Sequence, residues 1–436
     1  MTKIEIPLAF KERPVWPEGV SAPSISYDVE PYQSQPGRSV QKVLAGRKLV
    51  RPLIDLNAYV CRAEIDWLEF CINTPDIHQA RNMQPKIAGM LNELGSKSTV
   101  FVTGPGRKIR YIGRDFIVKF QQPEPRELAQ VLAKIAGHYG LDCAKLAELQ
   151  IMGIEVSVDF YVKGAEGLTE SAANLKRWQL VDILRRHLKP DPVLTELPAA
   201  EPRFFGGKFG GGGATHFVNP SASDLGPRLL VLASRLGLEP ENLVALDMNK
   251  HGKPDVDTTS WIGPKDFHVM LRTMDKVTDK RDPASDTFMD LSMEERRARV
   301  EVTLRGKADE IGGHGAVGLE TLGDLAGFPF KSIRRPFFEF YLATIGDQCD
   351  GTSLGIKLRA NEQEIFRRSG VYGLDRFHRA VQLVNQARIT RGEQDVSLVR
   401  LGEKGRMLSW MDMNQKIDRA LKKLGKDWGA LFEAVE

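Results

Sequence analysis

Cysteine is scarce in this chain. There are four among 436 residues (Cys61, Cys71, Cys143 and Cys349), with no CxxC pair and no zinc-ligand spacing. That excludes a disulfide framework and a cysteine zinc fold, and points to reduced thiols in a cytoplasmic protein. Long hydrophobic runs are also missing: none approaches 18 residues, which excludes a transmembrane helix and, with it, a membrane partner. The opening segment MTKIEIPLAFKERPVWPEG has no basic stretch followed by an apolar core, so no secretory leader is expected there. None of the eight histidines stands two positions from another, so a histidine-hydrophobe-histidine metal pattern is absent. The glycine-rich run Phe204 to Gly213 lacks the GK[ST] of a P-loop. It reads first as a surface linker, and second as a loop that could grip single-stranded DNA by stacking.

What remains is an ordinary globular composition, 42% hydrophobic and 27% charged, long enough for two or three domains. The net charge of +4 is small, but its placement is uneven. Residues 331–436 carry 19 Lys and Arg against 14 Asp and Glu, a surplus of five, so the rest of the chain is close to neutral. Local clustering of this kind is an electrostatic footprint for phosphate, or equally the solvated face of a helix.

Residues 1–60, rich in Pro, Ser and Gly, read as an extended or partly disordered arm. Residues 61–165 then alternate in period. A strand at Glu64–Ile72 precedes a helix at Met83–Leu94 and strands at Thr99–Thr103 and Lys108–Phe120. A helix at Glu127–Tyr139 and a strand at Met152–Val162 complete the set. That β-α-β-β-α-β order predicts a ferredoxin-like split unit. Residues 166–330 read as a second, less regular α+β unit, and 331–436 as a basic, mainly helical DNA-binding region. The fold class expected is α+β: two ferredoxin-like units with antiparallel sheets, plus that helical region.

The most informative segments are Thr258–Lys276 and Arg299–Gly306. The first reads as strand, Gly-Pro turn, strand. The second alternates strictly, with Arg299, Glu301, Thr303 and Arg305 on one face and Val300, Val302 and Leu304 on the other. Two arginines and a carboxylate aligned on one strand face are suited to an anionic ligand. The pair resembles the replication initiation factor family, the rolling-circle initiators of plasmids and filamentous phages. There a Tyr-Ile-Gly-Ser-Arg turn leads to an Arg-Ile-Tyr-Asp-Lys strand and then an Arg-Val-Glu-Leu-(x)-Leu-Arg strand. Two further strands take part in the resemblance, Ile65-Asp66-Trp67-Leu68 and Ile154 to Asp159.

The resemblance implies a protein that recognises a replication origin and nicks one DNA strand by metal-assisted transesterification through a tyrosine. Such chemistry needs a nucleophile and a divalent cation, Mg2+ or Mn2+, held by hard oxygen ligands. The metal candidates are Asp66, Glu155, Asp159 and Glu301. Of these, Asp66 shares its strand face with Leu68, Phe70 and Ile72 and so falls on the apolar side. Glu301 and Arg299 are also catalytic candidates, and Lys265, Arg272, Lys276 and Arg305 would neutralise phosphates. The family's tyrosine is missing, since Met274 stands in its place. Tyr161 and Tyr341, with Tyr111 behind them, are the substitutes. His268 shares a strand face with Arg272, and reads first as a structural histidine. In the C-terminal region Arg376 and Arg379 share a helix face, and Lys416 and Lys423 belong to a second basic stripe.

The partners implied are origin DNA in single- and double-stranded form, a host helicase and polymerase, and a second copy in a homodimer. Two other readings stay open: a relative that binds DNA without cutting it, and an RNA-binding or RNA-processing protein with paired ferredoxin-like units.

Overall fold

The computed structural model describes residues 2–10, 22–33, 44, 46–190, 203–206, 216–217, 234, 255–262, 268–282, 287–306, 313–346, 362–390, 392 and 406–432. Strands β1 (Thr2–Pro7), β2 (Ser24–Pro31) and β3 (Lys48–Pro52) come first. They are followed by β4 (Tyr59–Gln79), α1 (Ala80–Glu93), β5 (Thr99–Thr103), β6 (Ile112–Gln121), α2 (Pro125–Tyr139), β7 (Ile151–Val162) and α3 (Glu170–His187). Next are β8 (Arg203–Gly206), β9 (His216–Phe217), β10 (Thr258–Ile262), β11 (Val269–Lys276), β12 (Thr278–Asp282), β13 (Thr287–Asp290) and β14 (Arg297–Arg305). The chain continues through α4 (Leu322–Gly327), α5 (Arg334–Phe337), β15 (Tyr341–Ile345), α6 (Glu362–Thr390), β16 (Met407–Ser409) and α7 (Met411–Gly429).

The fold is mixed α and β, with antiparallel sheets. Nine strands form one sheet in the order β5-β6-β4-β7-β14-β11-β10-β8-β9. The elements β4 to β7 follow the β-α-β-β-α-β order expected from the sequence, and the reasons are local. Helix α2 starts with Pro125 in its first turn and stops at Gly140, whose φ of 69° closes the end in the left-handed region. Between those signals Leu128, Val131, Leu132 and Ile135 repeat at helical spacing and are buried. Thr169 caps α3 by accepting a hydrogen bond from Ala172 N. One side of the sheet is apolar: Phe70, Val118, Phe120, Val156, Val158, Val300 and Val302 are buried there. Helices α1, α2 and α3 pack against the strands that carry them.

Over its described residues, the arm expected at 1–60 is strand. β1, β2 and β3 join β15 and β16 in a five-stranded sheet ordered β1-β2-β3-β15-β16. Their apolar alternation (Ile4 and Ile6; Ile25, Tyr27 and Val29) buries one face. These runs are short and separated by Pro-rich stretches, so they carry little periodic signal on their own. The same sheet joins residues 331–436 to the start of the chain, so that region is not a helical unit apart. Helix α6 is kinked at Gly370, with φ 63° and ψ −153°. A Cβ at that position would collide with the Arg186 backbone of α3.

Candidate metal centre

The other face of the nine-stranded sheet is charged. Residues directly opposite in antiparallel strands share a face, and the register gives five rungs. They are Val60–Tyr161–Arg297–Lys276, Arg62–Asp159–Arg299–Met274, Glu64–Ser157–Glu301–Arg272–Trp261, Trp67–Glu155–Thr303–Met270 and Glu69–Gly153–Arg305. The strands singled out in the sequence are thus neighbours, with β7 and β14 at the centre.

Asp66 departs from the expectation. Alternation assigns it to the apolar side, but the register of β4 on β7 shifts between Ile65 and Trp67. This β-bulge sets Asp66 and Trp67 together opposite Glu155, so the carboxylate joins the charged face. A bulge is invisible to period-2 counting.

Carboxylate oxygens of Asp66, Glu155 and Glu301 lie within 4.8 Å of one another. Two arginines thread them. Arg299 binds Asp159 through two hydrogen bonds of 2.6 Å and reaches Asp66 at 2.7 Å. Arg272 donates to Glu155 at 2.8 Å, contacts Glu301, and lies 5.0 Å over the Trp261 ring. Arg297 adds a bond to Asp159 at 3.1 Å, and Thr303 donates to Glu155. Asp159 is therefore fully engaged by guanidinium groups and structural in character. Glu155, Asp159, Arg299 and Glu301 are at most 2% exposed, whereas the Asp66 and Arg272 side chains are 23% exposed. Access to the cluster is from the Asp66 and Arg272 side.

The electrostatics separate these acids. Burial raises the Glu301 carboxyl and the charges of Glu155 and Asp66 add to it; Arg272 and Arg299 pull the other way, and the pKa is pushed up to about 8. Burial also works to raise Asp66. Arg299 and Lys276 outweigh it, aided by the hydrogen bond from Arg299, and hold that carboxyl well below the usual range. One acid of the triad is thus held anionic while its neighbour keeps a proton near neutral pH.

Three hard oxygen donors at this spacing could hold a metal ion. Two buried polar atoms beside them support the fit. Ser157 Oγ has no hydrogen-bond partner, and Glu301 Oε1, though in ion contact with Arg272, accepts no hydrogen bond.

The remaining expected residues are scattered. Tyr161 lies on the charged face, its ring between Arg62 (5.0 Å) and Arg297 (5.6 Å); burial, then Asp159 and Glu64, raises its hydroxyl above the ordinary tyrosine value. Tyr341 belongs to β15 in the other sheet, away from this face. Lys276 is paired with Asp279 at 3.0 Å. Arg305 stacks 4.9 Å over Trp67, whose ring also carries Lys119 at 3.9 Å. Gly153 allows that stack, because a Cβ there would sit 3.1 Å from both Arg305 and Trp67. Lys416 donates to Tyr59 O at 2.9 Å, and Lys423 is exposed on α7. Lys265, most of the glycine-rich run, and the side chains of Arg376 and Arg379 lie outside the described residues. Sequence reasoning passed over Lys119 and gave Trp67 and Ser157 no role of their own; register brings all three to the site.

No protein-family model and no curated protein matches this sequence. The reading of function therefore rests on the geometry. Among the described residues no helix is long and apolar enough to cross a membrane, which leaves β-barrel insertion unaddressed.

Proposed function

We propose that the protein acts on DNA as a rolling-circle initiator does, recognising an origin and nicking one strand with the help of a divalent cation. The observation that carries this reading is the convergence of Asp66, Glu155 and Glu301, from three adjacent strands, within 4.8 Å on a face lined by arginines. The β4-to-β7 unit, with sheet order β5-β6-β4-β7, supports the ferredoxin-like scaffold that such a role calls for. Asp66, Glu155 and Glu301 would hold Mg2+ or Mn2+, and the ion would neutralise the phosphate and polarise the scissile bond. Arg272, at the exposed side of the cluster, positions the phosphodiester.

Tyr161 is the nucleophile this arrangement favours, because among the candidate tyrosines it shares the face with the acids. Its oxygen bonds to phosphorus as the bond to the 3′ oxygen breaks, and the tyrosine proton passes to that departing oxygen. The result is a 5′ phosphotyrosine and a free 3′ hydroxyl. Since the Tyr161 hydroxyl is raised, its proton must be relayed to the departing oxygen by a group near the ring, and Glu64, whose charge reaches Tyr161 and whose own carboxyl is raised by burial, suits that relay.

The test is incubation of the full chain with supercoiled plasmid carrying its own gene and flanking DNA, with Mg2+ or Mn2+, resolved on denaturing gels. Nicked circles linked to protein are expected, and both Tyr161→Phe and Glu301→Gln should abolish them. Plasmid that stays intact despite sequence-specific binding overturns the reading. A second reading, binding without cleavage, is favoured by Met274, which faces Arg299 across the β11–β14 pair where the resemblance expects tyrosine. It predicts an inert natural chain and nicking gained by Met274→Tyr.

A further inference from the structure

Strand β4 is longer than its neighbour. β6 pairs with it only from Trp67 onward, so Tyr59 to Ile65 have a strand partner on the β7 side alone. Lys163 N donates to Ala58 O, which sets the parity of the pairing. Val60, Arg62 and Glu64 then turn their backbone groups toward β7, and Tyr59, Cys61 and Ala63 turn theirs outward. Tyr59 O already takes the Lys416 ammonium from that side. Among the described residues the outward N–H and C=O groups of Cys61 and Ala63 meet no such partner, and Cys61 and Ala63 are half-buried. Shielded backbone groups of this kind call for a hydrogen-bonding ligand.

They open into a cleft of about 1320 Å³ between β4, the β6–α2 turn and α7. That exceeds the ~300–1,000 Å³ of a small-molecule pocket. Six cations line it (Arg62, Lys97, Lys163, Lys416, Arg419 and Lys423) against four carboxylates. Lys416, Arg419 and Lys423 stand three and four apart on α7 and so form one row. Arg419 and Lys423 are exposed, and neither forms an ion pair among the described residues.

We propose that this cleft binds an extended, acidic peptide segment of a partner protein, which adds as a strand to the β4 edge while its carboxylates meet the α7 row. Alternating donors and acceptors along the edge match a peptide backbone. A DNA backbone, made only of acceptors, would be repelled by the carbonyls of Cys61 and Ala63. The inference is independent of the metal centre.

The experiment selects decapeptides from a random library on the full-length protein. Enriched peptides are then measured by fluorescence anisotropy, with amide hydrogen exchange as the footprint. Expected are peptides rich in Asp and Glu and lacking central proline, with added protection at Cys61 and Ala63. Binding should weaken at least tenfold in the doubly reversed variant R419E/K423E, whose two changes are at exposed positions. A central proline placed in a selected peptide should abolish it. The proposal falls if no peptide is enriched, if the enriched set has no acidic bias, or if the reversal or the proline leaves affinity unchanged. It also falls if a thymidine 20-mer protects the same amides, which would make the cleft a nucleic-acid site, or if protection comes from self-association.

Discussion

Among the described residues, buried charge clusters stand on both large sheets, and two of them, one on each sheet, are built to opposite balances. On the five-stranded sheet a single acid, Glu362, is surrounded by cationic and polar partners. Arg47 donates to it at 2.8 Å, His378 lies at 2.8 Å, Gly346 N donates at 2.6 Å and Arg406 stands at 3.9 Å. Burial works to raise Glu362, but His378 and Arg47 outweigh it, and the pKa drops to about 2. On the nine-stranded sheet four acids share their arginines, and Glu301 is left with its pKa pushed up to about 8. The first cluster is complete and fastens α6 to its sheet. The second holds a carboxylate in excess of what its guanidinium groups satisfy. An acid beyond what the arginines neutralise, kept protonated and reachable from one side, is what sets the proposed binding centre apart from a structural tie.

The largest test of this contrast is Arg299→Met. It strands Asp159, and with it Asp66 and Glu301, in a buried site, and should cost about 3–5 kcal/mol of stability in urea denaturation. A loss below ~1 kcal/mol would mean the acids are already protonated. Next comes the cation itself. Mn2+ or Mg2+ at a hundredfold excess over its dissociation constant should stabilise the natural protein by about 2.7 kcal/mol. Thermal melts should show that gain vanish in Glu301→Gln and persist in Glu362→Gln.

The pH response separates the clusters by sign. Folded Glu301 keeps its proton to about pH 8, while unfolded it would release it near 4.5. Between those values the folded state binds more protons, so Glu301 makes stability fall as pH rises. Glu362 behaves the other way: between about 2 and 4.5 the unfolded state binds more protons, so its contribution is present above that window and lost as pH falls through it. Denaturation across pH 3–9 should show both limbs, the upper weakened by Glu301→Gln and the acid limb, to which Asp66 also contributes, weakened by Glu362→Gln. Cation affinity should also rise as pH approaches 8, because binding must displace the Glu301 proton. The smallest effect is expected at Lys423→Ala, an exposed position outside both clusters, with a change within about 0.5 kcal/mol.

Much of the nine-stranded sheet was legible from sequence. Helix α2 announces itself by Pro125, its apolar spacing and Gly140. The β14 strand shows both faces in its alternation, so Arg299, Glu301, Thr303 and Arg305 were correctly assigned together. Asp66 was assigned to the wrong side, because one extra residue in a ladder reverses the face and leaves no compositional trace. The five-stranded sheet was missed for a different reason. Its strands are brief and distant in the chain, and Val50 and Ala343, paired in the fold, are nearly three hundred positions apart.

Residue type and periodicity thus determined which side chains could be anionic, cationic or apolar, and which neighbours along a strand share a face, since those are properties of a few consecutive residues. Tertiary structure alone decided that Asp66, Glu155 and Glu301 meet, that Arg299 serves Asp159 first, and that Glu301 retains its proton. Those outcomes depend on register, burial and the summed field of groups remote in sequence, and no local pattern encodes them.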